Sequence, residues 1–210
     1  MPKGSPELTA ARKEEIINAC EELYKTMSFR EITLKEIGNV TSFTRTSIYN
    51  YFQTKEEIFL ALFEREYDRW NEALIDILDS SESLTKNELA SKIASSVTER
   101  EQLLKLLAMN IYDMEANSRP EILTFFKRAY GASINNISRL LEKFCPEMSG
   151  DDISRFLYMF FPFMFGIYPY TSVTDKQRKA MEEAKIGYVY HSVYELTYSC
   201  LCRLLGTEQK

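Results

Sequence analysis

Helix starts are written into this chain in the same form three times. Thr33-Leu34-Lys35-Glu36, Thr54-Lys55-Glu56-Glu57 and Thr85-Lys86-Asn87-Glu88 each place a threonine three residues ahead of a glutamate. The threonine hydroxyl accepts from an early backbone N–H, and the glutamate reaches back to the capping residue. Two donors that a helix cannot satisfy by itself thereby find partners. Apolar residues recur around these starts at three- and four-residue spacing. Ile16, Ile17, Ala19, Cys20, Leu23, Tyr24 and Met27 form one stripe, and Leu34, Ile37 and Val40 a second. Ile58, Leu62, Phe63, Tyr67, Trp70, Leu74 and Ile77 form a third. Seven glycines and six prolines leave little hairpin punctuation, and no segment alternates as a strand does.

The chain is therefore predicted to be all-α. After MPKGSPELTA, read as a flexible arm, helices are expected over 12–27, from Thr33 to about Val40, over 45–52 and from Thr54 through Leu78. Further helices are expected from Thr85 to Val97, over 99–116, and from Pro120 to Phe144 before Cys145-Pro146. Three more follow: Ile153 to Tyr168 with a break at Pro169, Asp175 to Lys185, and Ile186 to Leu205 closed by Gly206. Residues 1–55 are expected to form an N-terminal arm and a helix-turn-helix head. Residues 56–210 are expected to form a larger helical domain.

Composition removes several function classes. The most hydrophobic run, FLYMFFPFMFGIYPY, is interrupted by Pro162, Gly166 and Pro169, and no run reaches the roughly 18 apolar residues of a membrane span. It reads as a buried helix, with no membrane partner. The N-terminus lacks the apolar core of a signal peptide, and four cysteines without metal-ligand spacing read as reduced, mostly buried thiols. The expected compartment is the cytoplasm. The sole histidine, His191, reads as a packed or partly exposed helical residue. No glycine-rich phosphate loop, nucleophile motif or His/Cys/Asp cluster is present, so neither an enzyme, a cofactor nor a metal is expected.

Charge is distributed unevenly. The net charge is -5 and the pI about 5.2, which argues against a generic polyanion binder. Yet no acidic residue falls between Ile37 and Lys55, where about three would stand at the chain's average density. A short helix, a tight break at Thr41–Phe43 and a second short helix behind Thr44 have the form of a helix-turn-helix. In that arrangement the second helix enters the major groove of DNA. Small Thr44, Thr46 and Ser47 permit close approach. Arg45 can bind guanine in bidentate fashion and Asn50 can pair with adenine. Tyr49, Tyr51 and the helix N-termini after Thr33 and Thr54 suit phosphate contacts. Lys55 opposes the helix dipole in its first turn, which a nearby phosphate would explain.

The segment RKEEIINACEELYKTMSFREITLKEIGNVTSFTRTSIYNYFQTKEEIFLALF resembles the N-terminal domain of the TetR family of transcriptional repressors. Ile17, Ala19, Phe29, Thr33, Ile37, Gly38, the run Ser47-Ile48-Tyr49-Asn50-Tyr51-Phe52 and Lys55-Glu56 carry the likeness. The family commonly has alanine-glycine-valine in the turn, where this chain has Thr41-Ser42-Phe43. Serine at the glycine position implies either strain in a left-handed turn or a different turn. The resemblance implies a homodimer whose heads each read half of a palindromic operator. It also implies that Thr33, Arg45, Thr46, Tyr49, Asn50, Tyr51 and Lys55 touch double-stranded DNA, with Arg45, Thr46 and Asn50 as base readers.

For the remainder, the resemblance implies a helical domain for ligand binding and dimerisation. The last expected helix carries two apolar stripes: Ile186, Val189, Val193, Leu196, Cys200 and Leu204, and Tyr190, Tyr194, Tyr198, Leu201 and Leu205. One face is expected to pack internally and the other, with 153–168, to meet a second copy. Aromatic residues and methionines that could line an effector pocket are Tyr67, Trp70, Met109, Tyr112, Phe126, Tyr130, Phe161 and Phe165, though the same residues equally fill ordinary cores. The function expected is a regulator, in the form of a repressor released from DNA when a small, largely apolar or aromatic ligand moves the long fourth helix. The alternative is a dimeric ligand- or protein-interaction module on the same scaffold without regulated DNA binding.

Overall fold

A computed structural model describes residues 5–42, 44–109 and 111–207. Among these, eleven helices and no strand occur, so the all-α expectation holds. They are α1 (Pro6–Thr26), α2 (Leu34–Asn39), α3 (Arg45–Ile48), α4 (Lys55–Ser80), α5 (Lys86–Thr98), α6 (Glu101–Leu107), α7 (Ile111–Ala116), α8 (Pro120–Phe144), α9 (Gly150–Thr171), α10 (Asp175–Glu183) and α11 (Val193–Leu204). No described helix is long and apolar enough to cross a membrane.

The chain divides into two compact units, Met1–Arg65 with Asn110–Tyr130, and Glu66–Met109 with Gly131–Lys210. The boundary expected at 55/56 falls inside the first unit, at the start of α4. In this unit Ile16, Cys20, Ile37, Ile48, Phe52 and Ile58 are buried to the last few per cent. Phe59 receives the edges of Tyr24 (5.2 Å between centroids) and Phe29 (4.8 Å). Phe63 and Phe126 pack at 4.9 Å. Arg65 pins α1 by ion pairs to Glu14 (2.7 Å) and Glu21 (2.6 Å).

In the second unit, Trp70 is fully buried, donates its indole N–H to Ser96 Oγ at 3.1 Å, and meets Phe161 at 6.1 Å. α11 packs on α5 and α9, and α6 on α9. Lys143 Nζ donates to the carbonyls of Leu78 (2.7 Å) and Ser81 (2.8 Å), closing the end of α4.

Several element boundaries differ from expectation. The arm is already helical from Pro6, because Ser5 caps it and Pro6 occupies its first turn; residues 1–4 lie outside the described set. The expected helix over 45–52 is regular only to Ile48, and then tightens into turns in which Asn50 and Tyr51 N–H bond three residues back. The expected helix over 99–116 is two, α6 and α7; Met109 N–H turns back to the Leu106 carbonyl, and Asn110 lies outside the described residues. α9 does not stop at Pro169 but runs to Thr171, whose hydroxyl serves the Ile167 and Tyr168 carbonyls in the last turn. The last helix starts at Val193, not Ile186, because Ser192 and Glu195 form a complete capping box there. Ile186, Val189 and Tyr190 are therefore not part of its stripes. His191 stands exposed before that helix, 3.9 Å from Glu195.

Candidate nucleic-acid interface

α3 has only four helical residues, too few to hold itself, since isolated helices are marginal below roughly 12 residues. Its neighbours hold it. Thr44 caps it, accepting from Ser47 N–H at 3.3 Å, and the two hydroxyls lie 3.1 Å apart. Ile48 and Phe52 plug the core beneath. Gly38 of α2 lets α3 approach: a Cβ there would lie 3.2 Å from the Arg45 backbone nitrogen. The turn between them hangs on α1, because Glu15 accepts from Ser42 N–H at 2.6 Å and from its hydroxyl at 3.1 Å. Ser42 is not left-handed, since Lys185 is the one positive-φ residue other than glycine among those described. The serine thus marks a different turn, not a strained one. Phe43 lies outside the described residues.

With Ile48 turned inward, Thr44, Arg45, Thr46, Tyr49 and Asn50 are exposed and Ser47 half-exposed. Arg45 Nη2 donates to the Tyr49 hydroxyl at 3.3 Å, one helical turn along. A surface groove of about 550 Å³ runs beside this face, lined by Thr33, Lys35, Arg45, Tyr49, Gln53, Lys55 and their neighbours, with Glu56 as its one acid. A second groove of the same unit, about 560 Å³ on α1, is lined by Glu14, Glu15 and Glu22. Negative charge is segregated from the face that carries Arg45. Lys35 and Gln53 join the groove although the motif did not single them out; Gln53 lies in the acid-free window, and Lys35 stands just ahead of it, before Glu36.

Thr33 caps α2 as its spacing implies, accepting from Lys35 and Glu36 N–H, and its hydroxyl donates to the Glu36 carboxylate. Two other expected contacts face partly inward. Tyr51 is half-buried and its hydroxyl accepts from Arg12 at 3.3 Å. Lys55 Nζ donates to the carbonyls of Phe29 (2.7 Å) and Ile32 (3.2 Å) and sits 4.0 Å over the Phe29 ring. Those carbonyls supply the negative partner that the helix-dipole argument assigned to phosphate.

A helix-turn-helix with a capped, outward-facing second helix is the arrangement found in DNA-binding regulators. Residues 16–62 match the bacterial regulatory proteins of the tetR family, and residues 64–206 match the tetracyclin repressor-like C-terminal domain. The chain belongs to the TetR family of transcriptional regulators. As such it is a DNA-binding regulator and not an enzyme. It is 26% identical over 148 residues to the HTH-type transcriptional regulator YfiR of Bacillus subtilis, spanning 68% of this chain and 69% of that one. Its fold is shared with a TetR/AcrR-family regulator of Thermobifida fusca (TM-score 0.63, 17% identity, covering 95% of this chain and 100% of that one). It is also shared with Bacillus subtilis FadR, solved in complex with stearoyl-CoA (TM-score 0.59, 17% identity, 93% and 99%).

The expected effector-pocket residues of this TetR-family chain divide between the units. Tyr67, Trp70 and Phe161 form a buried ring cluster in the second unit, with Tyr67 and Trp70 at 6.4 Å; Met109 and Phe165 of the same unit are half-buried. Phe126 and Tyr130 belong to the first unit, and Tyr112 is 80% exposed there, apart from the rest. A cleft of about 430 Å³ in the second unit is instead lined by Tyr170, Val173, Met181, Ile186, Tyr188 and Tyr190, among others. Reading 186–205 as one helix concealed it. No group of three metal-ligating side chains exists among the described residues.

Proposed function

We infer that this regulator is a homodimeric repressor that reads a palindromic operator through α3 and leaves it when a largely apolar or aromatic effector binds. The exposed, acid-free face of Thr44, Arg45, Thr46, Tyr49 and Asn50 carries the reading. Arg45, Thr46 and Asn50 address base edges; Thr33, Ser47 and Tyr49 address phosphates. Tyr51 and Lys55, engaged with Arg12 and with two carbonyls, position the head. Dimerisation rests on α9, which leaves Arg155, Tyr158, Met159, Pro162, Gly166 and Tyr170 exposed at helical spacing beside the half-exposed Val193, Leu196 and Cys200 of α11. The ring cluster of Tyr67, Trp70 and Phe161 supports an apolar effector site, and the acyl-CoA held by a protein of the same fold is consistent with it. The effector must bind the DNA-incompetent state more tightly, or nothing shifts.

The test is fluorescence anisotropy of the protein on its own promoter-proximal DNA across a salt series, beside Arg45→Ala and Asn50→Ala. Sequence-specific binding is expected, with Arg45→Ala relaxing discrimination by about 1–3 kcal/mol at one base pair. Weak binding indifferent to sequence and to Arg45 would refute the assignment and favour the interaction-module reading.

A further inference from the structure

We propose that Arg119 is a positioning residue for operator recognition: through Glu57 and the Tyr51 carbonyl it fixes the far end of the α3 segment, so that Arg45, Thr46 and Asn50 meet the bases in one register. The proposal rests on the operator-reading function above. Thr44 and Gly38 hold the front of α3, but the turns after Ile48 lead straight to Thr54 with no helix of their own. Two of the groups that hold them lie far along the chain: Arg119 is 68 residues from Tyr51, and Asn117 is 63 from Thr54.

Arg119 Nη2 donates to the Tyr51 carbonyl at 3.1 Å and to Glu57 Oε2 at 2.8 Å. Its Nε and its backbone N–H both donate to Glu57 Oε1, at 2.7 and 3.1 Å. Glu57 Oε2 also accepts from Gln53 N–H at 2.7 Å. Alongside, the Thr54 hydroxyl donates to the Asn117 carbonyl at 3.0 Å while accepting from Glu57 N–H. The turn at 117–119 thus grips residues 51 and 54 directly and residue 53 through Glu57, the stretch just beyond Asn50. Glu57 is fully buried, so its charge requires this cation, and the fork geometry requires arginine. Burial alone would raise the Glu57 carboxyl. The Arg119 side chain and the N–H groups of Gln53 and Arg119 outweigh it and hold the carboxyl below its ordinary range.

The grip is conditional on a remote segment. α8 begins one residue after Arg119. A displacement of its first turn draws Tyr51 and Gln53 with it, because five hydrogen bonds with fixed directions would otherwise break. Arg119 itself touches no base in this scheme.

The experiment is a double-mutant cycle on operator affinity with Arg119→Gln, Arg45→Ala and both, each measured across the salt series with its circular dichroism and oligomeric state. Arg119→Gln is expected to weaken operator binding at least tenfold while leaving the salt slope of the wild type, since no phosphate contact is removed. The Arg45→Ala effect should largely vanish in the Arg119→Gln background, because a misplaced Arg45 has nothing left to lose. Additive effects, affinity within twofold of wild type, or a salt slope lowered by about one would overturn the proposal. The last would mark Arg119 as a direct phosphate ligand. If the glutamine variant does not fold, Arg119→Lys is read in the same way, for it keeps the cation beside Glu57 but cannot fork to Tyr51. Specific binding by the wild type alone separates the two claims: its absence removes the operator reading, whereas its presence with an additive cycle removes only the role of Arg119.

Discussion

At the scale of single residues, the head depends on a few atoms whose partners the sequence does not advertise. Gly38 is one. Gly38→Ala places a methyl 3.2 Å from the Arg45 nitrogen and 3.7 Å from Ile48 Cδ1, so α3 must shift by a few tenths of an ångström. Operator affinity is expected to fall while the melting temperature changes little; unchanged affinity in a gel-shift titration would show that the α2–α3 spacing has slack. Glu57 is another. Its carboxyl titrates below the ordinary 4.5, so its contribution to stability is complete above that value and is lost as pH falls through the depressed one. Melting temperatures between about pH 3 and 7 should therefore decline in acid for the wild type and decline less for Glu57→Gln, at the expense of lower stability at neutral pH. Trp70→Ala should remove about 3–5 kcal/mol in urea unfolding, since it leaves a cavity where a fully buried indole stood in the second unit.

At the scale of elements, capping chemistry decided most boundaries, and it was read from the sequence at Thr33, Thr54 and Thr85 but not at Ser149 or Ser192. Thr85-Glu88 is a complete reciprocal box, as its spacing implied. Ser149-Asp152 and Ser192-Glu195 are equally complete, and the second of these fixes the start of α11. That start was missed because Tyr190 and Val189 extend the apolar period upstream, and periodicity cannot see a cap. Pro169 misled in the opposite direction: it costs α9 the one N–H that would reach the Phe165 carbonyl, yet the helix runs on to Thr171, and the Ser172 N–H still closes on the Tyr168 carbonyl. The break between α6 and α7 has no proline or glycine to announce it. Ser192→Ala is expected to destabilise α11 by about 1 kcal/mol, read as lower protection of the Thr197 and Leu201 amides in hydrogen exchange. The rotation of α3 was legible, because Thr44 caps it and Ile48 and Phe52 are buried beneath it, whereas its end at Ile48 and the inward turn of Tyr51 and Lys55 were not. Which aromatic residues fill the core and which stand at the surface was not legible either, because such side chains look alike in a sequence.

At the scale of the whole molecule, the exposed face of α9 sets the oligomeric prediction. Tyr158 is 82% exposed and Met159 57%, neighbours on a helix whose opposite side is buried. Tyr158→Glu with Met159→Glu should convert a dimer to a monomer in light scattering and reduce affinity for a full palindrome far more than for a half-site; a dimer that persists would place the interface elsewhere. The head has a different kind of incompleteness. Its buried Glu57 carboxylate waits for Arg119, 62 residues on, and its Thr54 hydroxyl for Asn117, 63 residues on. During synthesis, α4 is made before Arg119, and until then the Glu57 carboxylate has no guanidinium to meet and stays in water. Residues 51–57 can therefore complete their packing only after α5 and α6, which precede Arg119, have been made.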